Sequence, residues 1–212
     1  MTMKSIKLLG LFLFVLSINS QLIGQDIRSS AQGFSINLDF AYGSWNSESQ
    51  FLGDLDDVEP SGFGFGAKAA YGINQNIELF LAIRQVGFKQ EFDWDAYKVN
   101  SVDIGGRYNF GATLRRFRPF LEAALSFHSL VIDPITFDGS SVFKLESSGA
   151  GLTIGGGFHI FILPNLSANA NGKLTFGNFS STSLSGTEVD NLEESLDFAM
   201  TTIQLGLTYF FQ

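Results

Sequence analysis

The sequence contains no cysteine, and after residue 24 it has no apolar run long enough to form a membrane-spanning helix. Without cysteine, the chain has no disulfide framework and no thiolate for metal or redox chemistry. A helical span needs roughly 20 consecutive apolar residues, and every later apolar run is much shorter than that. If this chain enters a membrane, it therefore has to cross it as β-strands.

Basic residues are also scarce, with 13 Lys and Arg against 21 Asp and Glu and a net charge of −8. A protein of this charge repels nucleic acid, and no basic stripe is present to follow phosphates, so nucleic acid is excluded as a partner. Motifs for phosphate binding or nucleophilic catalysis are missing too, because glycine runs such as residues 155–157 fall within an alternating segment. We therefore expect no cofactor, no bound metal and no catalytic residues.

The N-terminus has the pattern of a secretory signal peptide. Two lysines precede the apolar residues 8–18, and small residues follow them. We predict a signal peptide in residues 1–24, cleaved after Gly24, and a single domain in residues 25–212. Cleavage would remove two lysines and no acids, so the 13 basic residues become 11 and the net charge becomes −10. An anchor helix is the alternative, but its apolar run would be too short to span a bilayer.

Eight later segments alternate apolar or aromatic residues with small or polar ones, which is the period of a β-strand. In the third segment, for example, Ile77, Leu79 and Leu81 point to one side while Glu78 points to the other. The eight segments are residues 34–43, 63–72, 77–84, 101–110, 120–128, 151–160, 166–176 and 199–211.

The connections between these segments alternate in length. Four are long and polar, residues 46–60, 89–97, 132–144 and 177–194, and three are short turns, residues 72–76, 111–118 and 163–165. Transmembrane barrels have short periplasmic turns, long extracellular loops and an even number of strands. The last segment also ends on Tyr209 and Phe211, as a barrel strand at a membrane interface does. We predict an all-β fold, an eight-stranded antiparallel up-and-down transmembrane β-barrel.

A soluble lipocalin-like barrel also has eight antiparallel strands and is the alternative fold. Its large apolar side chains would point inward, around a ligand. Here one face of each segment carries the large apolar residues, and the other holds glycine, serine, asparagine and charge. The second face is too small and too polar for a dry core, so we assign it to the lumen and the apolar face to lipid.

The signal peptide, the eight alternating segments and the aromatic C-terminal segment resemble the family of small outer-membrane β-barrels that includes OmpA-type transmembrane domains and OmpX-like barrels. The resemblance covers residues 25–212. It implies location in the bacterial outer membrane, contact with outer-membrane lipid, and handling by the barrel-assembly machinery during biogenesis. Members of this family stabilise the envelope, adhere to surfaces or leak small solutes, so the resemblance leaves the role open.

Eight charged residues fall on the predicted lumen face. They are Asp39, Lys68, Glu78, Arg84, Asp103, Arg107, Glu122 and Lys173. Four negative charges balance four positive ones, and eight strands enclose a space that side chains just fill, so we expect these groups to pair and close the lumen. Alternatively they line a narrow pore. Asp103 and Glu122, on adjacent strands, can also be interpreted as an acid/base pair, but a buried charge needs a partner whether or not it does chemistry.

The two histidines, His128 and His159, lie on the fifth and sixth predicted strands. Because these strands are antiparallel, we expect the two side chains near opposite ends of the barrel and no shared metal site. His128 with Ser126 or Ser129 is the only candidate for a serine–histidine pair. Such a pair would indicate a lipid-modifying enzyme, but no orienting acid is defined for it.

Acidic residues gather in the first two predicted loops. They are Glu48, Asp54, Asp56, Asp57 and Glu59 in the first loop, and Glu91, Asp93 and Asp95 in the second. Calcium binding is one interpretation, but Val58 stands where a third ligand is expected and no glycine follows. A solvated acidic surface, open to an extracellular partner, is therefore favoured. The aromatic residues of the second loop, Phe92, Trp94 and Tyr97, form either an interface belt or a contact surface.

These observations favour a bacterial outer-membrane barrel with a structural or surface-interaction role, a lumen closed by paired charges, and acidic loops displayed outward. A narrow pore for small solutes or ions is the alternative function. A lipid-modifying enzyme is the second alternative.

Overall fold

The computed structural model describes residues 31–46, 60–89, 96–111, 116–137, 141–184, 187–188 and 196–211. The strands are β1 (Gly33–Asn46), β2 (Ser61–Gly72), β3 (Ile77–Phe88), β4 (Tyr97–Asn109), β5 (Phe117–Phe137), β6 (Ser141–Leu163), β7 (Leu166–Leu184), β8 (Thr187–Glu188) and β9 (Leu196–Phe210). None of the described ranges contains a helix long and apolar enough to cross a membrane. The predicted signal peptide and the acidic residues of the first two predicted loops lie outside the described residues.

Eight of these strands close into a barrel. Each strand from β1 to β7 pairs antiparallel with the next, β7 pairs with β9, and β9 pairs with β1. The two residues of β8 only extend one end of β7. We call the end with the turns at residues 73–76 and 164–165 the inner end, and the opposite end the outer end. The predicted eight-stranded antiparallel barrel is confirmed.

Large apolar side chains cover the outside of the barrel. In β3 every second residue from Ile77 to Ile83 is exposed, and the residues between them are buried. The exposed residues that form this apolar belt are Phe34, Ile36, Leu38, Phe40, Tyr42, Phe63, Phe65, Tyr71, Ile77, Leu79, Leu81, Ile83, Val102, Ile104, Tyr108, Leu121, Leu125, Phe127, Leu152, Ile154, Ile160, Leu174, Phe176, Ile203, Leu205, Leu207 and Tyr209. The lipocalin-like alternative is therefore wrong, because its large apolar residues would point inward.

Three strands are much longer than predicted. β5, β6 and β7 have 21, 23 and 19 residues, whereas β2 and β3 have 12 each. Residues 132–137 and 141–144 belong to β5 and β6, so the predicted long loop at 132–144 is wrong and three residues connect these strands. Residues 177–184, predicted to be a loop, continue β7.

The ends of the other predicted connections also shift. Tyr97 begins β4 instead of ending the second loop, and Phe117 and Arg118 begin β5 instead of ending a turn. Their backbones join the ladders of neighbouring strands, where Tyr97 pairs with Ile132 and Arg118 with His159. The strict long and short alternation of connections therefore fails at the β5–β6 connection.

Candidate functional site: the barrel lumen

The structure places all eight predicted lumen charges inside the barrel. Their residues are between 1% and 8% exposed. They come from β1, β2, β3, β4, β5 and β7, because on each strand the residues that alternate with the apolar belt point inward. Ion pairs join seven of the eight: Lys68, Glu78, Arg84, Asp103, Arg107, Glu122 and Lys173, which we call the ion-pair network.

Glu122 is the centre of the ion-pair network. Its Oε2 accepts hydrogen bonds from Lys68 Nζ at 2.9 Å and from Arg107 Nη2 at 2.7 Å. Its Oε1 lies 3.0 Å from Lys173 Nζ. Arg107 also reaches Glu78, with 3.4 Å between Nη1 and Oε1. One carboxylate therefore faces three cations, which is the compensation that buried charge requires.

Asp103 forms the second anionic point of the ion-pair network. Its Oδ2 lies 3.5 Å from Lys173 Nζ and 3.8 Å from Arg84 Nη1. Lys173 thus stands between Asp103 and Glu122 and contacts both. An acid/base pair of carboxylates would share a proton or a water, whereas these two share an ammonium group.

Asp39 is bound differently from the other acids. Its Oδ1 accepts a hydrogen bond from Gln204 Nε2 at 2.7 Å, and its cross-strand neighbour is Gly66. A Cβ atom at Gly66 would lie 2.6 Å from Asp39 Oδ1, so a side chain at this position would displace the carboxylate. Gly66 in turn pairs with Arg84, which places Arg84 and Asp39 on either side of a position without a side chain.

Two aromatic rings of the lumen face contact cations of the ion-pair network. Lys68 Nζ lies 4.4 Å from the centroid of the Phe80 ring, and Arg107 Cζ lies 3.9 Å from that of Phe120. Both rings are almost fully buried on the lumen face. A cation over an aromatic face is stabilised by the ring quadrupole. Phe80 and Phe120 are inward-facing by their alternation, but their role as supports was not predicted.

The predicted separation of the two histidines is confirmed. His128 pairs across the ladder with Gly149, ten residues before His159 on β6, which is about 33 Å at the usual rise per residue. His159 Nε2 lies 2.9 Å from Arg107 Nη1, and its Nδ1 lies 2.8 Å from Ser167 Oγ. Within the described ranges no three His, Asp or Glu residues are placed to hold a metal ion.

The serine beside His128 is not one of the two predicted. His128 Nδ1 lies 3.0 Å from Ser101 Oγ on β4. Ser126 instead bonds to Thr153, with 2.6 Å between the two hydroxyl oxygens, and Ser129 follows His128 on the opposite face of β5. His128 is 2% exposed, so the pair with Ser101 lies inside the barrel and not on its rim.

A second inward-facing group was missed by sequence reasoning. It fills the outer end of the lumen, and we call it the outer apolar cluster: Ala41, Trp45, Val86, Phe88, Tyr97, Val99, Leu130, Ile132, Leu145, Phe179, Phe198 and Met200. The expectation of a small and polar lumen face is wrong at this end. One sequence pattern could have indicated the cluster: several of its large residues have polar neighbours on both sides, as Trp45 has Ser44 and Asn46.

Aromatic contacts hold the outer apolar cluster together. The rings of Phe179 and Phe198 stack at 4.7 Å between centroids, and those of Phe88 and Tyr97 stack at 5.0 Å. Trp45 Nε1 donates a hydrogen bond to Tyr97 Oη at 3.2 Å. Tyr97, which was predicted to lie in an aromatic loop, is therefore an inward-facing cluster residue that is 3% exposed.

The fold is similar to that of solved bacterial surface proteins. Neisserial surface protein A superposes with a TM-score of 0.63 at 19% identity, over 85% of this chain and 98% of that protein. OprG from Pseudomonas aeruginosa, an outer membrane protein, gives 0.55 at 16% identity, over 87% and 98%. Ail, the attachment invasion locus protein of Yersinia pestis, gives 0.52 at 16% identity, over 84% and 98%.

The chain has the fold of the small eight-stranded outer-membrane β-barrels. No protein-family model matches the sequence, and no curated protein sequence matches it significantly. In a small outer-membrane barrel the outward band is apolar, as the apolar belt is here. At these identities the likeness establishes the fold, and the role of the barrel has to be argued from its own residues.

Proposed function

We propose that this protein is a bacterial outer-membrane barrel with a closed lumen and a structural or surface-interaction role. It is exported through the periplasm by the signal peptide in residues 1–24 and inserted by the barrel-assembly machinery. The acidic residues of the first two predicted loops, which lie outside the described residues, would face the cell exterior and contact a partner there.

The apolar belt supports the membrane location. It is made of side chains such as Phe65 and Leu38, which are 73% and 65% exposed on a molecule whose interior is rich in charge. Apolar surface costs roughly 25 cal/mol per Å² when it faces water, so a belt of this extent requires a lipid environment. Neighbours of the same fold from bacterial outer membranes support the same location.

The pairing of the lumen charges is the main observation in favour of a closed lumen. Three cations contact the Glu122 carboxylate within 3.0 Å, and Asp103 and Glu78 take the remaining contacts of two of those cations. An eight-stranded barrel has room for side chains and little else. Charges that pair across such a space fill it with protein groups in place of open water.

Two measurements test this proposal. Fractionation of cells that express the full chain should place it in the outer membrane, with a faster-migrating unheated band that shows a folded barrel. Lipid vesicles that contain the folded protein should retain a trapped small solute as long as vesicles without protein do. Recovery in another compartment, or rapid solute release from the vesicles, would contradict the proposal.

A narrow pore is the second candidate, and one observation favours it. Arg84 is 5% exposed, yet its three guanidinium nitrogens make no hydrogen bond within the described part of the chain. A buried donor without a hydrogen-bond partner is usually satisfied by water, so water beside Arg84 would account for this arrangement. If water and ions pass through the lumen, neutralisation of Arg84 or Arg107 should increase the current across a planar bilayer, whereas a closed barrel stays silent.

A lipid-modifying enzyme receives little support. The serine that shares a hydrogen bond with His128 is Ser101, and both residues are buried in the lumen. Lipid substrates cannot reach them there. Loss of a lipid-modifying activity in a His128→Ala variant would reverse this conclusion.

A further inference from the structure

The polarity of the barrel inverts near its outer end. Over the apolar belt, large apolar residues point outward and polar ones point inward. Further out the order is reversed: Val99 is buried between exposed Lys98 and half-exposed Asn100, and Leu145 is buried between exposed Lys144 and Glu146. A polar outside and an apolar inside are the properties of a water-soluble barrel. This outer section therefore stands clear of the hydrocarbon.

The lumen beneath the outer apolar cluster is polar. Besides Arg84 and Asp103, buried groups there without a hydrogen-bond partner among the described residues include Thr202 Oγ1, Gln204 Oε1 and His128 Nε2. The set contains donors and acceptors together, and water is the species that serves both. Each group lies two to four positions from a cluster residue on its own strand, as Thr202 does from Met200.

The outer apolar cluster lies across the lumen above these polar groups. It receives side chains from seven of the eight barrel strands, and the eighth, β2, contributes glycine there. The packing is tight, because a Cβ atom added at Gly43 would lie 2.8 Å from Met200 Cε and one at Gly62 would lie 3.0 Å from Phe88. The cluster offers no polar group to an ion or to a row of waters apart from the Trp45–Tyr97 hydrogen bond.

We propose that the outer apolar cluster, and not the ion-pair network, is the barrier that keeps ions from crossing the lumen. An apolar constriction stops ions by excluding the water that they carry, whatever the charges beneath it do. Paired charges, in contrast, can exchange partners with a passing ion. This inference rests on the proposed closed barrel, since it names the part that closes it.

The test compares three variants of the full chain in planar bilayers. Phe179→Ala/Phe198→Ala removes the stacked pair that joins the cluster to His128, whose ring lies 4.9 Å from that of Phe198. Arg84→Met removes one cation from the ion-pair network below. Phe65→Ala/Phe176→Ala makes the same chemical change on the lipid-facing side and is the matched control. The inference predicts current steps from the first variant and a flat baseline from the other two.

A chemical readout uses the absence of cysteine from the chain. Thr202→Cys introduces one thiol in the polar section beneath the cluster, at a site that is 0% exposed. Added from the outer side, a small cationic thiosulfonate should leave this thiol unmodified in the otherwise unchanged chain. It should modify the thiol fully when Phe179→Ala/Phe198→Ala is also present.

A gentler variant covers the case in which the double alanine chain does not fold. Val86→Thr/Val99→Thr changes a cross-strand pair of the cluster to residues of nearly the same volume that carry a hydroxyl. Heat-modifiable migration shows that each variant has folded. Current or labelling in this variant supports the inference equally.

Each outcome decides between the claims. Silent and unlabelled cluster variants, with current from Arg84→Met, would overturn the inference and make the ion-pair network the barrier. Cluster variants and Arg84→Met that are all silent would overturn it as well, while the closed barrel itself would stand. Steady current from the unchanged chain would refute the closed barrel and the apolar barrier together.

Discussion

Glu122→Gln removes the charge at the centre of the ion-pair network and keeps the shape of the side chain. The carboxylate is 1% exposed and contacts three cations. Arg107 keeps Glu78 and Lys173 keeps Asp103 after the change, but no other ion-pair partner of Lys68 is found in the described part of the chain. Removal of one partner from a buried ion pair costs about 3–5 kcal/mol, because the remaining charge stays buried.

Urea titration of the folded protein in detergent or lipid, followed by tryptophan fluorescence, measures this loss as a shift in the unfolding midpoint. A matched control is Glu146→Gln, whose partner Lys144 is exposed, since both side chains are 46% accessible. An exposed pair contributes roughly 0–1 kcal/mol, so the control should barely shift the midpoint.

The interaction energy between Lys68 and Glu122 is measured by combining Lys68→Met with Glu122→Gln in a double variant. Because this second change removes the orphaned ammonium group, the double variant should be more stable than the sum of the two single losses predicts, by about 1–3 kcal/mol. Equal losses for Glu122→Gln and Glu146→Gln, or strict additivity with Lys68→Met, would refute the view that the ion-pair network is buried and tightly coupled.

Two further changes test the two surfaces of the barrel. Leu205→Arg places a charge near the middle of the apolar belt on β9, and we expect the free energy of unfolding in lipid to fall by about 2–4 kcal/mol. Asn178→Arg lies on the polar outer section and should leave the stability almost unchanged. Similar losses at both positions would place the membrane boundary elsewhere. Tyr97→Phe removes the acceptor of the Trp45 indole hydrogen bond, so we expect a loss of about 1–2 kcal/mol and a shift in tryptophan emission. An unchanged spectrum and midpoint would show that this bond is not formed.

The part of the fold that lies within the apolar belt could be predicted from the sequence. In β3, Ile77 to Ile83 alternate with inward residues without exception, because lipid outside and polar groups inside impose opposite demands on neighbouring positions. The same rule fails beyond the belt. Leu130, Ile132 and Leu145 point inward because water replaces lipid outside, and a search for outward apolar residues leaves all three outside the predicted strands.

The charged residues of the lumen could be predicted as a set, but their partners could not. Alternation places Lys68 and Glu122 on the inward face, yet they lie on β2 and β5, which are not neighbours in the sheet. Their contact across the lumen depends on how the closed barrel staggers its strands, and no single segment contains that information. The pairing of Arg84 with Gly66 could not be predicted either, because it depends on the register between β2 and β3.

The closed lumen is the central claim, and a single-channel recording of the folded chain in a planar bilayer tests it most directly. Heat-modifiable migration of the same sample shows that the barrel is intact. A closed lumen predicts a flat current baseline at every applied voltage of either sign. Reproducible current steps from the unchanged protein would contradict it and make the ion-pair network the lining of a pore.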